Sequence, residues 1–324
     1  MKAASSITLW LLLLCPLADA ATRTVTNTAD SGPGSLRDAI AASASGDTIR
    51  FSASILGTPH IRLTSGELQI LVGLTIDSQG RRVLIDGNGV SRVFSIGGAG
   101  PVVLSSLTIT NGFMSGGVGG GVLNGGTLML TNCTVSGNYA EFGGGMWSLG
   151  ALTVNNCTFS GNRARYHGGA IYDYSTDSFP PSWTANNSTF VGNSAYLGGG
   201  IAATRYVTVS HCTFAGNVAT NVGSAIAQLS GSTITMNNTI CAGNINYSGG
   251  VQGDVDGVFT SQGFNLIGNA DSSSGWVASD RTGTGLMQIN ALLGRLDAAF
   301  NLGDLIQAYT GPDPFPDRHR RWKT

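Results

Sequence analysis

The chain has 324 residues, a formal net charge of −1, 48 glycines and only 11% charged residues. A hydrophobic content of 42% suffices for a core and excludes a disordered glycine-rich segment, while the lack of a three-residue glycine period excludes collagen. The near-neutral balance leaves no electrostatic footprint for nucleic acid, so no nucleic-acid partner is expected.

Residues 1–20 read as a signal peptide. Lys2 supplies the positive start, Leu9 to Leu14 lie in a short apolar core, and Ala18-Asp-Ala20 forms a cleavage site. The apolar run is too short to span a bilayer, so the mature chain is expected to carry no transmembrane segment. Cys15 opens a lipoprotein alternative, against which Leu14 stands where a small residue is wanted. Residues 21–47 read as an N-terminal cap. Within them Gly34-Ser-Leu-Arg-Asp-Ala-Ile40 predicts a short helix, with Ser35 as N-cap and Asp38 three residues on. Leu36, Ala39 and Ile40 would then lie on the first rung of whatever follows.

From about residue 48 to 287 the chain is built from a returning phrase. It reads Asn132-Cys-Thr-Val-Ser-Gly-Asn138, Asn156-Cys-Thr-Phe-Ser-Gly-Asn162, Asn187-Ser-Thr-Phe-Val-Gly-Asn193 and His211-Cys-Thr-Phe-Ala-Gly-Asn217, and more weakly Asn238-Thr-Ile-Cys-Ala-Gly-Asn244. A second phrase keeps step: Gly-Gly-Gly-Val122, Gly-Gly-Gly-Met146, Gly-Gly-Ala-Ile171, Gly-Gly-Gly-Ile201 and Gly-Ser-Ala-Ile226. Such a period means stacked repeats. Each repeat predicts three short strands, as at Leu152–Val154, Cys157–Phe159 and Ala170–Tyr172, separated by corners and a glycine-rich bend. No helix-period segment intervenes, so the strands of one turn pair in parallel with those of the next. The expected fold is all-β, a single-stranded right-handed parallel β-helix with a short N-terminal capping helix. Eight or nine coils would stack like on like: Val135, Phe159, Phe190 and Phe214 in one column; Val122, Met146, Ile171, Ile201 and Ile226 in another. The final Asn of each phrase, Asn138, Asn162, Asn193, Asn217 and Asn244, would form a corner ladder, holding the left-handed turn and bonding the rung above. Cys133, Cys157 and Cys212 share one inward register and read as buried thiols, with a Cys133–Cys157 bridge as the alternative. Residues 288–324 read as a C-terminal cap or tail, partly disordered, ending in a solvated basic run at Arg318–Arg321.

Candidate functional residues gather where the period breaks, at the 31-residue step between Asn162 and Asn193. Arg163, Arg165 and Tyr166, with His167, make the densest charged and aromatic cluster. Arg165 lies in register with Glu141, which predicts an exposed ion pair. Trp147 and Tyr172 share an outward register on adjacent rungs, followed by Asp173, Asp177 and an inserted loop. Outward aromatics on a flat sheet suit a sugar ring, and insertions on one face of a solenoid often bind ligands; aromatic packing beneath the loop is the structural alternative. Asp254 and Asp256 alternate along the chain, so both carboxylates are expected to face outward, a weak Ca²⁺ candidate. No other cofactor is expected. Enzymatic β-helices need dense carboxylate and basic groups; here Glu67 and Glu141 are the only glutamates, and Lys323 is the only lysine after Lys2.

These phrases resemble the repeats of polymorphic outer membrane proteins, whose Phe-x-x-Asn and Gly-Gly-Ala-Ile motifs stand here at Phe159–Asn162, Phe190–Asn193, Phe214–Asn217 and Gly168–Ile171. The opening from Thr24 to Ile40 and the segment Ser261–Asn269 are similar to bacterial secreted β-helix proteins of the choice-of-anchor Q type. The resemblance implies an exported protein, secreted, periplasmic or at the outer membrane or cell surface of a Gram-negative bacterium. It implies a non-enzymatic adhesion or structural surface module that contacts surface glycans or other cell-surface components. The rival expectation is an extracellular polysaccharide-binding or polysaccharide-degrading protein of the pectate-lyase type, either a lyase or a glycoside hydrolase.

Overall fold

The computed structural model describes residues 20–174, 183–229, 231–248 and 253–284. It is a parallel β-helix of about nine turns with one short helix, Leu36–Ala41. The expected signal peptide, most of the inserted loop with Asp177, and the tail lie outside the described residues.

A central coil runs through Met146–Ser148, Ala151–Asn155, Thr158–Ser160 and Arg163–His167. Each strand pairs in parallel with its equivalent one coil on, Met146 with Ile171, Leu152 with Trp183, Phe159 with Phe190 and Arg163 with Ser194. There are thus four strands per central coil where the sequence reading expects three. The extra strand lies in the stretch read as a glycine-rich bend. Its equivalents form a six-stranded sheet, beside a ten-stranded sheet that runs from His60–Arg62 to Arg281–Thr282. The bend itself is confined to the residues after His167. Gly168 sits at φ +66°, where an added Cβ would run into the Ile171 carbonyl. Before it, Ala164 turns inward and its neighbours outward, so the chain extends.

The two apolar columns form in the expected register. Phe159 stacks on Phe190 at 5.2 Å, and Phe190 on Phe214 at 4.5 Å with their planes 3° apart. Every one of these side chains is fully buried, and the stacking places side chains of like size on one another.

The Asn ladder exists, but its backbone role is corrected. The left-handed residue is the first of each phrase, Asn132, Asn156, Asn187, His211 and Asn238, at φ between 47° and 55°. The final Asn is instead buried and works through its side chain. Asn138 Nδ2 donates to Asn162 Oδ1 at 2.9 Å, Asn162 to Asn193 at 3.0 Å, Asn193 to Asn217 at 2.9 Å and Asn217 to Asn244 at 2.8 Å. Each Oδ1 also accepts the backbone N–H of the preceding ladder Asn, and each Nδ2 also reaches back to a carbonyl, as Asn162 does to Val135 at 2.8 Å. Every internal Asn therefore both gives and receives, and the ladder has a direction. It ends at Asp254, whose Oδ1 accepts from Asn244 N at 2.9 Å and whose Oδ2 accepts from Asn269 N at 2.7 Å. Asp254 thus takes the end of the ladder, facing N–H donors and almost wholly buried, while Asp256 is half-buried in the following strand. The expectation that both carboxylates point outward together is corrected for that reason.

The cysteine register makes a second ladder. Cys133, Cys157 and Cys212 are buried and free, and they share the column with Ser188 and Thr239. Backbone N–H groups of one rung donate to the sulfur or oxygen of the next: Cys133 to Cys157 at 3.4 Å, Cys157 to Ser188 at 3.0 Å, Cys212 to Thr239 at 3.3 Å and Thr239 to Asn265 at 3.1 Å. This ladder too ends on an aspartate, with Asn265 N and Nδ2 both donating to Asp280 Oδ1. Burial pushes the Cys212 thiol up to about 11 and raises that of Cys241 well above its usual value.

At the start of the rod, Thr22–Val25 pairs with Thr48–Phe51, so the capping segment itself contributes a strand. Ser35 Oγ accepts from Asp38 N at 3.2 Å, and Leu36, Ala39 and Ile40 are buried against the first coil as expected. Arg37 ties this cap down, donating to Asp30 and to the carbonyls of Gly66 and Glu67, each at 2.7 Å. At the far end Trp276 stacks on Phe259 at 5.1 Å. Among the described residues no helix is long and apolar enough to cross a membrane.

Candidate functional site

The cluster marked by the break in period lies where the Arg163–His167 and Ile171–Asp173 strands meet at the Gly168 bend. Trp147 and Tyr172 are paired in register as expected. Tyr172 is covered, however, and Trp147 is half-buried. Tyr174, at the start of the insertion, stacks over Trp147 at 6.3 Å and lies 5.7 Å from Tyr172. Phe142 stacks on Tyr172 at 5.7 Å and on Tyr166 at 5.1 Å, and His167 meets both Phe142 and Tyr172 edge-on. Tyr172 is left 7% exposed. The platform imagined from sequence is therefore a packed aromatic cluster, because the insertion begins with a tyrosine that folds back over it.

Burial sets the chemistry of the cluster. It depresses His167, which favours the neutral imidazole, and pushes Tyr172 up to about 12, with Tyr174 adding to the rise. Trp147 Nε1 and His167 Nδ1 are buried with no hydrogen-bond partner among the described residues. The accessible rim is basic and aromatic: Arg163 and Arg165 are exposed, Tyr166 is 38% exposed, and the Arg165 guanidinium lies 5.2 Å from the Tyr166 ring centre. The expected Arg165–Glu141 contact is present at 3.5 Å on the surface, where such a pair is worth little.

Asp173, expected in the ligand-contact set, has no accessible surface. It is clamped by Arg205, which is almost equally buried and which reaches back to donate to the Leu149 carbonyl at 2.7 Å and the Gly150 carbonyl at 3.1 Å. Asp173 Oδ2 and Arg205 Nε have no partner among the described residues. Burial lowers Arg205 to about 10, still charged at neutral pH. The pair closes the coil at the corner breached by the insertion. Sequence reasoning missed Arg205. The available signal was Ala203, in register with Asp173, whose small side chain leaves room in the column for the arginine to enter.

Solenoid architecture, four-faced coils and polarised corner ladders together define a right-handed β-helix. The family model described as "Right handed beta helix region" matches residues 70–240, and the chain belongs to that family. The family includes both pectate-lyase-like enzymes and non-enzymes, and it supports a surface, structural or polysaccharide-related class of protein. No curated protein matches the chain.

Proposed function

We propose that the protein is an exported, non-enzymatic β-helix that serves at the cell exterior as an adhesive or structural surface module. The observation that carries this reading is the use made of the buried charges. Asp173 is committed to Arg205, Arg92 to Glu67 at 2.7 Å, and Asp254 and Asp280 to backbone N–H groups at the ladder ends. A catalytic acid or base has to reach the atom that gains or loses the proton, and these groups are instead closing the coil. The leader-like start and the resemblance of the repeats to outer membrane proteins support an exterior location.

The rival reading, a polysaccharide-active protein, is supported by the Tyr166–Arg165 rim and by the enzymes in the family. Purified protein incubated with acidic and neutral polysaccharides, with and without Ca²⁺, separates the two. No products are expected in any incubation. Cleavage in either series would overturn the non-enzymatic reading, and cleavage confined to the Ca²⁺ series would mean that the rod holds a catalytic Ca²⁺ site.

A further inference from the structure

An open groove of about 330 Å³ lies on the N-terminal half of the rod, at the corner where the ten-stranded sheet turns into the six-stranded one. It is lined by Arg62, Asp86, Asn88, Asn111, Phe113 and Tyr139, with glycines between them. None of these belongs to the cluster beside the insertion.

One wall is aromatic. Phe113 and Tyr139 are partners in adjacent strands, and their rings stack at 5.1 Å with planes 21° apart. Unlike Tyr172, this pair is open: Phe113 is 41% exposed, and Tyr139 is half-buried. A side chain as apolar as Phe113 gains nothing from water, and two stacked, nearly parallel rings form an apolar plate. The other wall is polar and pre-set. Asp86 Oδ1 accepts from Asn88 N at 2.8 Å, and Asp86 Oδ2 lies 3.0 Å from His60 Nε2. Burial alone would raise this carboxyl, but the bonds from Asn88, His60 and Asn111 outweigh it and keep it below its usual range, so it is ionised at neutral pH. Arg62 Nε donates to Asn88 Oδ1 at 2.5 Å, which fixes the guanidinium while its two terminal nitrogens keep no partner among the described residues. The glycines keep the groove open: nothing stands within 4 Å of where a Cβ of Gly89 would be, and the nearest atom to one at Gly137 is 3.6 Å away.

An apolar plate facing a guanidinium fork, a carboxylate and two carboxamides has the chemistry of a ring with an apolar face and a polar edge. A pyranose has both, C–H groups for the plate and hydroxyls for the fork, carboxylate and amides. Mixed charge in the groove and a net charge of −1 argue against nucleic acid, which needs a track of cations along its phosphates. We infer that the groove formed by Phe113, Tyr139, Arg62, Asp86, Asn88 and Asn111 is a binding site for a pyranose unit of a polysaccharide chain. This goes beyond the proposed surface role and holds whether or not the rod has activity, because its readout is binding and not cleavage.

The test uses the folded chain from Ala21 and isothermal titration with cellohexaose, maltohexaose and xylohexaose as neutral probes and hexagalacturonate as the acidic one. At least one probe is expected to bind. A Phe113→Ala, Tyr139→Ala variant is expected to lose at least tenfold in affinity while its melting profile stays close to wild type, since neither ring is in the coil interior. Arg62→Gln distinguishes the sources. Selective loss of hexagalacturonate means that the fork holds a uronate carboxylate, and equal loss of all bound probes means that it holds hydroxyls. Binding by no probe overturns the inference, as does binding that survives the aromatic double variant unchanged.

Discussion

Truncating one buried rung of the Asn ladder, Asn193→Ala, is the sharpest test of how the rod is held together. Asn193 Oδ1 accepts from Asn162 N and Nδ2, both at 3.0 Å, and its Nδ2 donates to the Phe159 carbonyl at 3.0 Å and to Asn217 Oδ1 at 2.9 Å. Asn217 Oδ1 keeps the Asn193 backbone N–H at 3.1 Å, and the Phe159 carbonyl keeps its place in the strand ladder, so the truncation orphans two groups: the Asn162 N–H and one Asn162 amide hydrogen. At about 1–3 kcal/mol for each buried group left unmade, with some relief from water entering the gap, the loss should be about 2–5 kcal/mol. That is a large share of the roughly 5–15 kcal/mol that stabilises a typical domain. Urea unfolding followed by far-ultraviolet circular dichroism measures it. Because rungs interact only with neighbours, the transition should also broaden as the two halves uncouple. The control is Asn187→Ala, at an exposed position in the same coil with φ +47°. It should cost the left-handed backbone penalty of about 1–2 kcal/mol and a solvent-exposed bond to Asn156 Oδ1 at 2.7 Å that water can replace. If Asn193→Ala costs no more than the control, buried amide stacking is not what holds the rungs.

Arg205→Met should destabilise by about 3–5 kcal/mol, because it strands the buried Asp173 charge, and Asp173→Ala added to it should recover part of the loss; additive losses in a double-mutant cycle would show that the two do not interact. At the cap, burial would raise Asp30, but the bonds from Arg37, Ser65 and Thr64 more than offset it and hold the carboxyl well below its usual value. A depressed carboxyl contributes stability that is present above its unfolded pKa of about 3.9 and is lost as pH falls through the folded value. Thermal melts below pH 4 should therefore fall less steeply for Asp30→Asn than for wild type, and parallel acid limbs would refute the assignment. Cys133, Cys157, Cys212 and Cys241 should resist a thiol reagent at pH 8 in the folded chain from Ala21 and react fully in denaturant, since each is buried and free; rapid labelling of any one before unfolding would contradict its place in the coil.

Much of the rod was legible because stacking is a local rule repeated. Phe159, Phe190 and Phe214 recur at one place in the phrase, and a repeated place in a solenoid is a column. What local pattern could not give was the role of a residue that acts across rungs. The left-handed turn was assigned to the last Asn of each phrase when the first occupies it, because both are Asn and both flank a short strand. Arg163–His167 was hidden as a strand by the glycines that follow it. Arg205 bonds Leu149 and Gly150 two coils away, and no spacing announces that. The candidate site was half legible. The register of Trp147 and Tyr172 followed from the repeat, whereas the approach of Tyr174 to both depends on the path of the insertion. Phe113 and Tyr139 went unread because the phrase is weak before Asn132, although their partnership is an ordinary step of one coil.

The direction of the ladders also bears on how long such a rod can be. A coil between Asn138 and Asn244 accepts from one side and donates to the other, so an extra unit of 24 residues inserted there would meet the same bonds on both faces. The coils carrying Asp254 and Asp280 differ, since a carboxylate takes hydrogen bonds and has no N–H to hand onward. Duplication can lengthen the interior at little cost, but beyond these aspartates the side chains have no amide hydrogen to pass on, and only backbone groups carry the pairing further. The two acids thus mark where each line of side-chain bonds stops, even though the strands around Asp254 continue to pair.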